Sequence, residues 1–341
     1  MAKPKTKAAM WSQYLAIRAA ETALCIWPHS SNMRFGAGLG RLVCQIDKKH
    51  RNRIIHNLRF SFPGQSESYY QDIAQRTFEH LLKLFVEILH SPRLLHHDSW
   101  GDLAQIKAPS IAPAVELLNS GKPVIMLTGH FGNWEVMGTL MGLMGYDMDA
   151  IARPLDNPLV DDWMRGVREK RGLRVITKWD ATDRMIEVLD NGGALGFIAD
   201  QNAGDRGIFV PFFGKLASTY KSIGLLAIQK NVPIVCGYAK RVNDAMGYEI
   251  GATDIIYPED WKKHDDQLYY VTARYMRAIE MMVRLAPEQY FWMHRRWKSR
   301  PRHERLGKPF PSGLRRSLQD LPWMTDELFE NVMQPMPDAV G

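Results

Sequence analysis

Pro123-Val124-Ile125-Met126-Leu127-Thr128-Gly129-His130-Phe131-Gly132-Asn133-Trp134-Glu135 decides the fold. Its first six residues are an apolar run set between Gly121 and Gly129, which predicts a short buried strand. A helical period then begins at Trp134 and runs to Met144. The same alternation continues downstream. Strands are predicted over 148–152, 173–177 and 194–199, and helices over 157–171 and 180–189. Asn157 stands as N-cap with Pro158 at the first helical position, and Gly172 follows the end of that helix. After a loop from Asp200 to about Ser218 come a helix over 219–230, two strands over 232–241 and 248–256 that form an antiparallel hairpin around 243–247, and a long amphipathic helix over 267–285. Strands and helices in this order imply an α/β fold with a mostly parallel central sheet flanked by helices.

Upstream, residues 1–120 read as a helical N-terminal region. Ser66 to His90 carries one apolar face, and Pro92 is expected to stop that helix. Ala8 to Trp27 mixes Trp11, Tyr14, Leu15 and Leu24 with Arg18 and Glu21 after a lysine-rich start. A spanning helix needs about 20 mostly apolar residues. This stretch fits a helix lying at a membrane interface, or one packed on the body, better than a span or a cleaved leader. Residues 121–305 form the α/β body and 306–341 a tail, in which Trp323, Leu328 and Phe329 suit a docking helix.

The chain of 341 residues is 45% hydrophobic and carries a net charge of +7, with basic residues gathered at Lys3, Lys5 and Lys7 and again from Arg295 to Arg305. Such a surface suits an anionic membrane, an acidic carrier protein or nucleic acid. Cys25, Cys44 and Cys236 match no metal or redox spacing.

His130 follows a strand and Glu135 opens the next helix, with Gly129, Gly132 and Asn133 allowing the chain to turn between them. Glu135 is expected to reach back to one imidazole nitrogen, leaving the other to take a proton from an alcohol. Taken alone, the pair is more readily read as a capping glutamate beside an incidental histidine. No second His, Cys or Asp stands near it at metal-ligand spacing.

His130-Phe131-Gly132-Asn133-Trp134-Glu135 resembles the H-x4-[D/E] motif of glycerolipid acyltransferases, most closely the bacterial lipid A late acyltransferases (lauroyl and myristoyl transferases) and the phosphatidylinositol mannoside acyltransferases. Four further blocks resemble the same family in the same order. They are Asn57-Leu58-Arg59 with Phe62-Pro63, Arg153-Pro154 through Asn157-Pro158, Asp200-Gln201 with Gly207 to Gly214, and Pro287 to Lys298.

The resemblance implies a glycerolipid acyltransferase-like body that moves a fatty acyl chain from a thioester, on acyl carrier protein or CoA, to a hydroxyl of a membrane lipid or lipid A precursor. His130 would be the general base and Glu135 its orienting carboxylate. Arg153, Arg168, Asp200 and Gln201 would hold substrate. Gly129 and Gly132 would shape the loop and lend backbone donors to the oxyanion. Neither metal nor cofactor is required. The lysine-rich start, the Trp11, Tyr14 and Leu15 segment and the basic stretch from Arg295 to Arg305 predict peripheral or shallow attachment to the cytoplasmic face of the inner membrane, with the anionic surface as a partner. A lysophospholipid or glycolipid acyltransferase using acyl-CoA is the nearest rival. A non-catalytic basic protein that binds membrane or nucleic acid is the second, and the dyad in its matching frame argues against nucleic acid as a partner.

Overall fold

The computed structural model describes residues 6–152, 154–169, 172–177 and 181–336. Four helices come first: α1 (Lys7–Ile26), α2 (His29–Ile46), α3 (Lys48–Ser61) and α4 (Glu67–Leu94). Thr6, Asp47 and Ser66 start α1, α3 and α4 by accepting a backbone N–H three residues on. The expectation that Pro92 stops α4 is not met. The helix continues to Leu94 and closes with the Leu95 N–H on the Ser91 carbonyl. The Ile88 carbonyl, which a backbone N–H at position 92 would otherwise have reached, accepts the Ser91 hydroxyl at 3.0 Å instead.

The chain then passes through α5 (Trp100–Leu103), β1 (Ala104–Ile106) and α6 (Ala108–Asn119) into the alternating region: β2 (Val124–Thr128), α7 (Trp134–Leu143), β3 (Met148–Ala152), α8 (Pro158–Glu169), β4 (Leu173–Thr177), α9 (Ala181–Asp190) and β5 (Ala194–Ile198). Next come β6 (Ile208–Phe212), β7 (Lys215–Thr219), α10 (Ser222–Lys230), β8 (Ile234–Arg241), β9 (Tyr248–Ile256), α11 (Pro258–Trp261) and α12 (Gln267–Leu285). Helices α13 (Arg302–Arg305), α14 (Ser312–Gln319) and α15 (Asp326–Met333) end the described chain.

One seven-stranded sheet has the order β1-β9-β8-β2-β5-β3-β4. Its pairings are parallel except for the β8–β9 hairpin, as the alternation implies. All five residues of β2 are buried, the pattern of a central strand covered on both faces. The stretch expected to be a plain loop after Asp200 instead holds a second, two-stranded antiparallel sheet, β6 with β7. Pro211 lies within β6, and a two-stranded ribbon has an open edge where a proline needs no partner. Leu58 of α3 and Phe78 of α4 are buried in the same apolar cluster as Ile125, Leu127 and Leu195 of the sheet.

The parallel register decides where the chemistry lies. Thr128 at the end of β2 pairs with Ile198 at the end of β5. Two residues beyond each, His130 and Asp200 leave neighbouring strands at the same height. Crevices at the carboxyl ends of parallel strands are where such sheets hold ligands.

Candidate active site

Asp200, 2% exposed, takes two hydrogen bonds from His130. The backbone N–H of His130 donates to Oδ2 at 2.8 Å, and Nδ1 lies 2.7 Å from Oδ1. Burial, with the nearby Asp200 charge, pushes the Tyr290 phenol well up, so it stays protonated beside the pair. Burial pulls the His130 imidazole downward, but the Asp200 carboxylate, aided by the more distant charge of Glu135, outweighs it and holds the ring above its ordinary value of 6.5. Burial likewise pushes the Asp200 carboxyl up, and His130 overrides it through charge and hydrogen bonds, bringing Asp200 down to about 2. With Nδ1 donating to a carboxylate, Nε2 is the acceptor. It faces the exposed Gln201 amide at 3.4 Å.

Glu135 is placed differently from the expectation. Asn133 caps α7, its side-chain oxygen accepting the Val136 N–H at 2.9 Å. Glu135 therefore sits in the first helical turn, and its carboxylate crosses to α8. Arg168 donates to it through Nε at 2.9 Å and Nη2 at 2.6 Å. This two-point pair, each side chain about a fifth to a quarter exposed, is the strong geometry for guanidinium and carboxylate. The carboxylate that orients the imidazole is Asp200, on the adjacent strand end. Asp161 and Asp162, on the same helix, pair with Arg165. Arg153 lies outside the described residues.

Both glycines are sterically required. Gly129 packs against Ile279 and Asp200, and a Cβ there would meet Ile279 Cγ2 at 2.8 Å. Gly132 has φ +59°, and a Cβ would meet the Ala239 carbonyl at 2.1 Å. The loop's amides are largely committed: His130 N–H to Asp200, Gly132 N–H to the Gln289 carbonyl and Asn133 N–H to the Ala239 carbonyl. Of the backbone donors expected for an oxyanion at Gly129 and Gly132, that of Gly132 is thus already engaged.

Beneath the loop is a buried ionic cluster that the sequence reading missed. Glu87 of α4 is wholly buried and pairs with Arg241 at the end of β8, whose Nη2 is 2.6 Å from Oε2. Arg241 also reaches His80 Nδ1 at 2.6 Å, and Asn133 Nδ2 donates to Glu87 at 2.9 Å. One asparagine side chain therefore starts α7 and ties the loop to the N-terminal helices. The available signal was two polar residues seven apart, His80 and Glu87, within the apolar period of α4.

Trp134, whose ring centroid is 5.0 Å from that of His130, opens onto an apolar cavity that also includes Glu135, Arg168, Met137, Phe197 and Ile198. A second apolar cavity, between Trp100, Ile111, Leu140 and Ile250, shares Met126 and Met137 with the first. These two methionines form the partition. Among the described residues no group of three or more His, Cys, Asp or Glu is arranged to hold a metal ion.

The profile of the family described as bacterial lipid A biosynthesis acyltransferase matches residues 2–299. The chain is 27% identical over 282 residues to a lipid A biosynthesis lauroyltransferase of Escherichia coli strain K12, covering 80% of this chain and 87% of that one. It is 27% identical to the palmitoleoyltransferase of the same organism, covering 78% and 84%, and 26% identical to a lipid A biosynthesis acyltransferase of Haemophilus influenzae, covering 85% and 91%.

Proposed function

The chain belongs to the bacterial lipid A biosynthesis acyltransferase family and is an acyltransferase, and we propose that it moves a fatty acyl chain from a thioester to a hydroxyl of a lipid A precursor with His130 as general base. The observation that carries the mechanism is the His130–Asp200 pair. Asp200 fixes the ring so that Nε2 presents its lone pair, and it stabilises the imidazolium that forms. The acceptor hydroxyl lies against Nε2. As its oxygen attacks the thioester carbonyl, its proton passes to Nε2. When the tetrahedral intermediate collapses, the C–S bond breaks and the imidazolium returns the proton to the departing thiolate. Gln201, beside Nε2, is placed to donate to the oxyanion.

Glu135 acts through Arg168. The pair holds α7 against α8 at the cavity entrance and presents a guanidinium to the anionic parts of donor or acceptor. The acyl chain enters the apolar cavity past Trp134. The donor is acyl carrier protein or acyl-CoA, and the acceptor lies in the cytoplasmic leaflet, so the protein works as a peripheral enzyme. Among the described residues no helix is long and apolar enough to cross a membrane.

The test is to incubate the protein with a lipid A precursor and either labelled acyl carrier protein or labelled acyl-CoA, then weigh the lipid products. A single acyl mass added to the lipid A precursor is expected, and the faster thioester identifies the donor. Acylation of lysophospholipids alone would replace the acceptor in this reading.

A further inference from the structure

We infer that the outward face of α2 is the surface by which this protein lies on an anionic lipid bilayer; this rests on the reading that its acceptor is a membrane lipid. At 100° per residue, Phe35, Leu39, Leu42 and Ile46 fall within an arc of about 60°. Phe35, Leu42 and Ile46 are 52%, 51% and 70% exposed. The opposite face of α2 is already spent on the fold. Met33, Gly36, Ala37, Gly40 and Cys44 are buried, and α2 lies so close to α4 that a Cβ on Gly40 would meet Glu79 Cα at 2.6 Å.

The stripe continues past the start of α2. Ile26 and Trp27, more than half exposed, close α1, and the Trp27 ring meets Phe35 edge-on with centroids 6.3 Å apart. Tryptophan at such a corner is the side chain that prefers the headgroup level. A contiguous apolar strip of this kind marks an interaction surface rather than scattered exposure.

The charges around it choose the occupant. From Thr22 to Lys49 the chain has four cationic residues, Arg34, Arg41, Lys48 and Lys49, against one carboxylate, Asp47, which is engaged in capping His50. All four cations are exposed. Arg34 and Arg41, seven apart, run along one flank of the stripe, and Arg41 keeps half its side chain in solvent while touching Glu79 at 3.3 Å. An apolar stripe flanked by cations suits acyl chains below a layer of anionic headgroups. In the basic stretch from Arg295 to Arg305, three of the six cations are engaged within the fold, while Arg295, Lys298 and Arg302 stay exposed and can add to the attraction. Arg296 is buried, Arg300 pairs with Glu304 and Arg305 with Asp205.

The experiment is cosedimentation of the full chain with vesicles of phosphatidylethanolamine and phosphatidylglycerol, and with phosphatidylcholine vesicles. The triple substitution Phe35→Ser, Leu42→Ser, Ile46→Ser should lower partitioning onto the anionic vesicles at least 10-fold. Arg34→Gln with Arg41→Gln should remove most of the preference for anionic over neutral vesicles. Thermal melting reports whether each variant folds, and the single substitution Ile46→Ser, with a smaller loss, stands in if the triple does not. Partitioning of the folded triple variant equal to wild type overturns the inference. So does a wild-type dimer that the triple variant converts to monomer, because the face would then belong to a second copy. Transfer to acceptor dispersed in detergent should be unchanged in the triple variant. If wild type shows no transfer there yet binds vesicles, the proposed reaction fails while this surface stands.

Discussion

The Nδ1 atom of His130 lies 2.7 Å from a carboxylate oxygen of Asp200, a residue 70 positions away that the parallel register of β2 and β5 carries to its side. The second oxygen of Asp200 takes the backbone N–H of His130 at 2.8 Å, so both ring and backbone are fixed by one side chain. Glu135, in the same short motif as His130, spends both its oxygens on Arg168.

Asp200→Asn tests that division. The amide oxygen would stay on the His130 N–H, turning the NH2 toward Nδ1. The ring proton would then move to Nε2, the atom required as base. We expect kcat to fall about 10²–10⁴-fold. In wild type the neutral ring is the active form and its pKa is raised, so the acidic limb of kcat/KM should lie above pH 6.5. In Asp200→Asn that limb should move to lower pH.

Stability should follow the same pair. The raised pKa of His130 adds stability that is present below about 6.5 and is lost as pH rises through its folded value. The depressed pKa of Asp200 adds stability present above 3.8 and lost as pH falls toward about 2. Asp200→Asn should therefore lower Tm more at pH 5.5 than at pH 8.5. An equal loss at both would detach the pair from stability.

Glu135 and Arg168 should behave as a unit. Removing either leaves a partly buried charge without its partner, so Glu135→Ala and Arg168→Ala should each be severe. The double variant should be milder than their sum, by about 0.5–3 kcal/mol in a double-mutant cycle on kcat/KM. Strict additivity would mean that the two act separately.

Much of this architecture was legible locally. Glycines at both ends of the 123–128 run, the Asn157-Pro158 start of α8 and the turn before β9 each announced their element through short-range chemistry. Asp200 was expected to hold substrate, not to be the partner of His130. That contact depends on β2 lying next to β5 rather than β3, which no local period encodes. The Glu87–Arg241 pair is hidden for the same reason, its members standing 154 positions apart. Glu135 misled because closeness in sequence suggested contact, whereas the Asn133 cap turns it into the first helical turn and across to α8.

Glu87→Gln should test how much the loop depends on that buried pair. Breaking one partner of a buried pair costs about 3–5 kcal/mol. Thermal melting should show a large fall in Tm, and Asp at position 87, a carboxylate one methylene shorter, should restore only part of it.

Met137 divides the two apolar cavities, with its Cε resting 2.7 Å from where a Cβ on Gly237 would stand. Met137→Ala should join them and shift preference toward longer acyl thioesters. Each additional buried methylene is worth about 0.8 kcal/mol, or roughly 4-fold in kcat/KM. Competition between thioesters of graded length reads this directly, and an unchanged length preference would place the acyl chain elsewhere.

The most direct measurement is the rate at which folded His130→Ala protein transfers a labelled acyl chain from its thioester to a lipid A precursor. The account predicts a fall of about 10²–10⁴-fold with an undiminished ability to melt cooperatively. Turnover within a few-fold of wild type would show that His130 is not the base.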